Sequence, residues 1–357
     1  PELGAQTSLV CFTDFNGDGL KDMLMVGSVS FRNYTGEPAT RLLLNKGQGR
    51  FEFAPRESFA EVAGLRFIKD ITCSDINQDG REDLIVAAEW QPISVFLNTG
   101  KSYKSWSSPA LNELRGWWQT VQVADVDNDG KADLLAGNWG INNKFNVAPG
   151  QSLFAYNNDL DRDGKNDLIL SYHHQGKYYP FRPKNDLEVE LPYLKKEWLG
   201  YMKMADKTTD EIFSDRLDGS AKLEANTFKT VWVKDFLNQG EVRELPYPVQ
   251  QAPVLSFQQA VNGSDQQEWV INGNFSGVIP YEGKYDAVGL MTIRYDRNSG
   301  AFGKPKYWVN PLFNFEHLEV MKPLKQSGGA GWLIITYDGK LLSVREERPL
   351  RQVLAKG

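Results

Sequence analysis

The sequence is poor in the residues most catalytic constellations need. Its 357 residues contain three histidines, His173, His174 and His317. The adjacent pair would face opposite ways in a strand, so it cannot readily chelate one metal. No Gly-x-Ser-x-Gly, His-Glu-x-x-His or phosphate-binding loop occurs, so the usual signatures of serine hydrolases, zinc peptidases and nucleotide-binding enzymes are missing. No run of about 18 apolar residues is present, so no stretch reads as a transmembrane helix. There is no Lys/Arg block or basic aromatic strip of the kind that tracks a nucleic acid. Cysteine is limited to Cys11 and Cys73.

What the chain has in abundance is one acidic loop. Asp125-x-Asp127-x-Asp129-Gly130-Lys131-x-Asp133 recurs as Asp14-x-Asn16-x-Asp18-Gly19-Leu20-x-Asp22 and as Asp75-x-Asn77-x-Asp79-Gly80-Arg81-x-Asp83. A fourth copy reads Asp159-x-Asp161-x-Asp163-Gly164-Lys165-x-Asp167. Oxygen side chains at positions 1, 3, 5 and 9 can converge on one hard cation. The backbone carbonyl of position 7 (Leu20, Arg81, Lys131, Lys165) adds another oxygen, and Gly at position 6 permits the sharp turn. A single Asp-rich turn is ordinary turn chemistry; four copies at one internal spacing point to calcium at about four sites. Position 12 is Met25, Val86, Ala136 or Leu170, where an EF-hand needs a bidentate Glu. Short apolar runs follow each loop and an alternating one precedes the third, so the unit reads as strand, calcium loop, strand.

That unit resembles the FG-GAP/VCBS repeat, the calcium-bearing blade repeat of integrin α-subunit propellers and of many bacterial surface proteins. Gly116-Trp117-Trp118, Gly137-Asn138-Trp139-Gly140-Ile141-Asn142, Ala88-Glu89-Trp90-Gln91-Pro92-Ile93 and Gly273-Asn274-Phe275 with Gly283-Lys284-Tyr285-Asp286-Ala287 are similar to the C-terminal part of large bacterial VCBS proteins related to cartilage acidic protein. The resemblance covers most of residues 8–345. It implies an all-β fold, a β-propeller of seven blades with calcium-binding loops, occupying residues 1–357 as a single domain.

The chain opens at Pro1, close to a repeat, which reads as a mature product or a piece of something longer. The first repeat spans about residues 9–55 and the second about 67–106; the third begins at Gly116. First-Asp intervals shorten from 61 and 50 to 34 residues. The fourth loop therefore either lies in the outer half of the third blade or opens a compact blade. Residues 183–215 read as a helical insertion, with Thr208-x-x-Glu211 spaced as a capping box. Residues 254–273 keep the blade pattern, but Ala260, Asn262, Ser264 and Glu268 stand at positions 1, 3, 5 and 9, so no metal is expected there. Cys11 lies three residues before its loop's first Asp and Cys73 two before its own. That offset places them on opposite faces of equivalent strands, so they read as small packed residues rather than a bond. Trp90, Trp117, Trp118, Trp139 and Trp198 read as wedges between blades ahead of a sugar- or protein-binding surface.

The formal charge of −6 reflects the loops, which hold fourteen carboxylates. Four divalent ions carry eight positive charges and would bring the chain to +2, so its acidity says nothing about a partner. The carboxylates are better used as calcium ligands than as a glycosidase acid and base. The expected role is a non-enzymatic binding or scaffold module for a protein or glycan ligand. It would be extracellular, at the surface or outer membrane of a bacterial cell, within a larger surface protein or complex. The alternative is a calcium-dependent polysaccharide lyase or another carbohydrate-active propeller enzyme.

Overall fold

The computed structural model describes residues 7–27, 38–145, 147–260, 268–275, 277, 283–308, 318–326, 329–336 and 341–345. The first antiparallel sheet runs β1 (Thr7–Thr13), β2 (Asp22–Gly27), β3 (Arg41–Asn45) and β4 (Phe51–Phe53), each beside the next. After a helical turn, α1 (Ala60–Ala63), the second repeats the pattern with β5 (Ile68–Ser74), β6 (Asp83–Gln91), β7 (Ser94–Asn98) and β8 (Tyr103–Trp106). The turn α2 (Pro109–Asn112) leads to β9 (Gly116–Trp117), which pairs with the far end of β6. A bulge in β6 at Trp90, which takes φ of 67°, re-aims that side chain.

The third sheet starts with β10 (Thr120–Ala124) and β11 (Asp133–Gly137) and is then interrupted. Residues 138–230 form a separate sheet from β12 (Leu153–Asn158), β13 (Asp167–His174), β14 (Lys177–Pro180) and β15 (Ala221–Ala225), in the order β14-β13-β12-β15. Between β14 and β15 lie α3 (Lys184–Glu190), α4 (Leu194–Glu197), α5 (Tyr201–Met204) and α6 (Thr209–Phe213). At the start of α6 the Thr208 hydroxyl accepts from Glu211 N–H and the Glu211 carboxylate accepts from Thr208 N–H, a capping box. The helical segment buries Leu187, Leu191, Leu194, Ile212 and Phe213 against Leu160 of the fourth acidic loop and Ile169 of the inserted sheet. The third sheet then resumes: β16 (Val231–Lys234) pairs with β11, and β17 (Glu241–Glu244) closes it. The fourth sheet contains β18 (Val254–Gln259), β19 (Glu268–Gly273), β20 (Leu290–Asp296), β21 (Ala301–Phe302) and β22 (Lys306–Tyr307). The last contains β23 (Leu318–Gln326), β24 (Gly329–Thr336) and β25 (Leu341–Arg345).

Against the seven blades expected from the sequence, the described residues form six sheets, and one of these is an insertion. The other five stack in chain order, because the second strand of a sheet is apolar on both sides. Leu24 and Val26 meet Leu84 and Val86 in one core, while Ile85 and Ala87 turn the other way to meet Leu134 and Ala136. Leu135 and Trp232 then pack on Phe257, Trp269 and Ile271, and Val270 and Leu290 on Trp332 and Ile334. Strands buried on both faces read as continuous apolar runs, as these do.

Asn138, fully buried, ties the interruption shut. Its side-chain carbonyl accepts from Trp117 N–H at 3.1 Å and Trp139 N–H at 2.8 Å. Its amide group donates to the carbonyls of Thr227 and Lys229, and its own N–H donates to the Thr230 hydroxyl.

The cysteines correct the reading above: Cys11 and Cys73 are joined by a disulfide. The offset does place them on opposite faces of equivalent strands. In stacked sheets, however, those are the two faces that meet. Cys11 lies opposite Leu24 and Cys73 opposite Leu84, and both leucines line the core between the first two sheets. A bond closing 62 residues of sequence constrains the unfolded chain by about 4 kcal/mol in the loop-entropy model. Cys73→Ser should therefore lower unfolding stability by about 2–4 kcal/mol, read by denaturant titration of the oxidised wild type against the variant. Two titratable thiols in the wild type, unfolded without reductant, would show that the bond is absent.

Candidate metal centre

All four acidic loops adopt one conformation, built by the same hydrogen bonds. The carboxylate at position 1 takes the N–H groups of positions 5 and 6: Asp14 from Asp18 and Gly19, Asp75 from Asp79 and Gly80, Asp125 from Asp129 and Gly130, Asp159 from Asp163 and Gly164. These eight distances lie between 2.9 and 3.1 Å. The position-5 carboxylates of Asp18, Asp79, Asp129 and Asp163 accept from the N–H of position 7, at Leu20, Arg81, Lys131 and Lys165. Position 6 is glycine with φ of 83–87° in every copy, a region that side chains enter at a cost.

Position 9 anchors the loop to the sheet. Asp22, Asp83 and Asp133 are fully buried. One oxygen accepts the N–H of position 2, at Phe15, Ile76 and Val126. The other accepts an N–H at the end of the third strand, at Asn45, Asn98 and Asp235, at 2.7–2.8 Å. Asp167 repeats the first bond with Leu160. Burial pushes the carboxyl pKa of Asp22, Asp83 and Asp133 up, and the same burial with neighbouring carboxylates carries Asp167 to about 6. The exposed carboxyls of Asp18 and Asp163 are held low by hydrogen bonds, from Leu20 N–H and from Lys165 Nζ respectively.

Among the described residues, Asp125, Asp127 and Asp133 bring three carboxylate oxygens within 4.8 Å of one another, and Asp159, Asp161 and Asp167 do the same. In the first two loops Asn16 and Asn77 hold position 3, where each side-chain carbonyl accepts from the position-5 N–H. The donors are hard oxygens throughout, which suits calcium. One buried oxygen is left over: Asp127 Oδ1 has no hydrogen-bond partner. A carboxylate oxygen buried without a donor is costly, and a divalent cation is the partner its surroundings favour. Residues 261–267 lie outside the described residues, and with them the metal-free loop expected at Asn262 and Ser264.

Three features of the sites were missed from sequence. Glu82 joins the first two loops, accepting Asp14 N–H at 3.1 Å and the Lys21 ammonium at 2.7 Å. The Asn98 amide donates to the Phe15 carbonyl, again across two sheets. The third is Lys234, whose ammonium reaches the carboxylates of Asp127 and Asp129. The Asn that ends both Leu-Leu-Leu-Asn45 and Val-Phe-Leu-Asn98 was the available signal for the second feature.

Of the five tryptophans singled out above, Trp90 and Trp118 are buried and Trp117, Trp139 and Trp198 partly so. Trp117 meets Trp90, Trp139, Phe145 and Phe228 edge to face at centroid distances of 4.9–5.3 Å. Trp118 is fully buried between the second and third sheets, and Trp198 is half-buried against the inserted helices.

These features define an all-β protein of stacked antiparallel sheets in which strand pairs are joined by cation-type acidic loops. Residues 75–136, from the second acidic loop through the third and the strand after it, match the family of FG-GAP-like repeats. Integrin alpha-4 of Xenopus laevis is 29% identical over 144 residues, covering 36% of this chain and 14% of that protein. Among solved structures, BBS1N in complex with ARL6DN aligns over 98% of this chain and 96% of that one, at 10% identity and a TM-score of 0.31.

The raised pKa of Asp167 has a consequence for calcium-free protein. A carboxyl whose folded pKa exceeds its unfolded value binds its proton more tightly when folded. Its stabilising contribution is present below about pH 4 and is lost as pH rises through about 6. Melting temperature in excess chelator should fall across that window, and fall less in Asp167→Asn. Identical slopes for the two proteins would contradict the assignment.

Proposed function

We propose that the chain is a calcium-binding β-propeller module, a single domain, that serves as a non-enzymatic binding or scaffold unit for a protein or glycan ligand outside a bacterial cell. The observation that carries the reading is the hydrogen-bond set shared by the four loops, with three carboxylates gathered within 4.8 Å of one another in the third and in the fourth. Asp14, Asn16, Asp18 and Asp22 with the Leu20 carbonyl would hold the first ion. Asp75, Asn77, Asp79 and Asp83 with the Arg81 carbonyl would hold the second. The third would take Asp125, Asp127, Asp129, Asp133 and the Lys131 carbonyl, and the fourth Asp159, Asp161, Asp163, Asp167 and the Lys165 carbonyl. Bound calcium would cross-link the two strands flanking each loop and cancel the repulsion among their carboxylates.

The FG-GAP-like match and the integrin similarity support a ligand-binding module. The Cys11–Cys73 disulfide supports an oxidising, exported location, since such bonds persist there. The similarity of several segments to bacterial VCBS proteins supports a surface role within a larger assembly. Five stacked sheets are the blades in this reading, and the inserted sheet is an appendage to the third.

Calcium titration of chelator-treated protein tests the proposal. Ion that binds the folded loops alone stabilises by about 2.7 kcal/mol per site at a hundredfold excess over Kd, so the melting temperature should rise with calcium and fall on chelation. A melting curve indifferent to excess chelator would overturn it. Cleavage of uronic-acid polysaccharides, read as unsaturated-product absorbance and abolished by Asp129→Ala, would move the assignment to a lyase.

A further inference from the structure

The third loop differs from the other three at one position. In the first, second and fourth loops the position-5 N–H donates to the position-3 side chain, Asn16, Asn77 or Asp161, at 3.0–3.1 Å. In the third that bond is missing from an otherwise identical set. Asp127 Oδ1 stands buried without a partner, and Asp127 Oδ2 is turned to the ammonium of Lys234. The same ammonium lies 2.9 Å from Asp129 Oδ2. The Asp127 side chain is 9% exposed, those of Lys234 and Asp129 29% and 31%.

Lys234 ends β16, immediately before Asp235, whose N–H is bound by Asp133. The matching N–H groups in the first and second sheets belong to Asn45 and Asn98. The residues equivalent to Lys234 are therefore Leu44 and Leu97. Of these three sheets, the third alone has a cation at this place. Other basic residues at the loops lie differently: Arg81 and Lys165 each reach the position-5 carboxylate of their own loop, and Lys131 turns to Asp235.

We infer that Lys234 is a built-in competitor for the third cation site: its ammonium neutralises Asp127 and Asp129 in the metal-free loop through their Oδ2 atoms, and its charge opposes a divalent ion drawn to the same two carboxylates. An ammonium and Ca²⁺ cannot share two carboxylates a few ångströms apart without strong repulsion. Whatever free energy the lysine contributes to the empty loop is subtracted from ion binding, and the coupling is reciprocal. The lysine therefore weakens the third site relative to the same loop without it, and keeps that loop ordered when calcium is scarce. The inference rests on the calcium reading of the loops and assigns this residue a role within it.

The test is Lys234→Leu, the residue of the equivalent positions, with Lys234→Met as a second variant should the first fold poorly. Calcium binding to the whole chelator-treated chain is followed by calorimetric titration, and melting is followed with and without calcium. One site should tighten by roughly tenfold while the others keep their affinity. The calcium-free melting temperature should fall while the calcium-saturated one holds or rises. A lysine that merely props the sheet would lower both melting temperatures and leave every affinity alone, which would overturn the inference by itself. Binding of no calcium by wild type or variant would overturn it together with the calcium reading.

Discussion

The buried carboxylate at the end of each of the first three acidic loops is the interaction on which the architecture depends. Asp22, Asp83 and Asp133 each spend one oxygen on the start of their own loop and the other on the end of the third strand. One side chain thus fixes three strands in register and sets the loop's shape before any ion arrives. Such a group is expensive to bury as a charge, and two backbone donors offset that cost only while the sheet is intact. Loop and sheet are consequently one cooperative unit. The acidic motif is as much a folding signal as a ligand set.

Stacking supplies the rest. Because second strands are apolar on both sides, every sheet completes the core of its predecessor and opens one for its successor. This is why the loops of neighbouring sheets lie close enough for Glu82 to reach Asp14 and Lys21, and for Asn98 to reach Phe15. An effect at the first loop therefore has a short polar route to the second.

The parts legible in the sequence were those coded locally. Loop spacing, the apolar run after each loop and the Thr208–Glu211 cap all act over a few residues. What escaped was non-local. Pairing of Leu134 with Val233 skips a whole inserted sheet, and nothing within either segment announces the partner. The fourth loop was recognisable as a loop but not as part of an insertion, for the same reason. Cys11 and Cys73 were placed on the right faces, yet their meeting depends on how sheets stack, which strand alternation alone does not state. Lys234 was invisible because a lysine ending a strand is ordinary until the loop beside it is known.

The interruption of the third sheet also bears on how the chain comes to be assembled. When β11 is complete, its hydrogen-bonding edge must wait while residues 138–230 emerge, and only then can β16 cover it. During synthesis the chain would carry two finished sheets, an unfinished third and a growing appendage. The Asn138–Thr230 bond brings the two ends of that appendage side by side, so it leaves and re-enters the sheet through one narrow doorway. Lengthening or replacing what lies beyond the doorway changes closure entropy only logarithmically. The third sheet is thus the place where descendants of this chain can gain or exchange a whole structural unit without disturbing the stack that bears it.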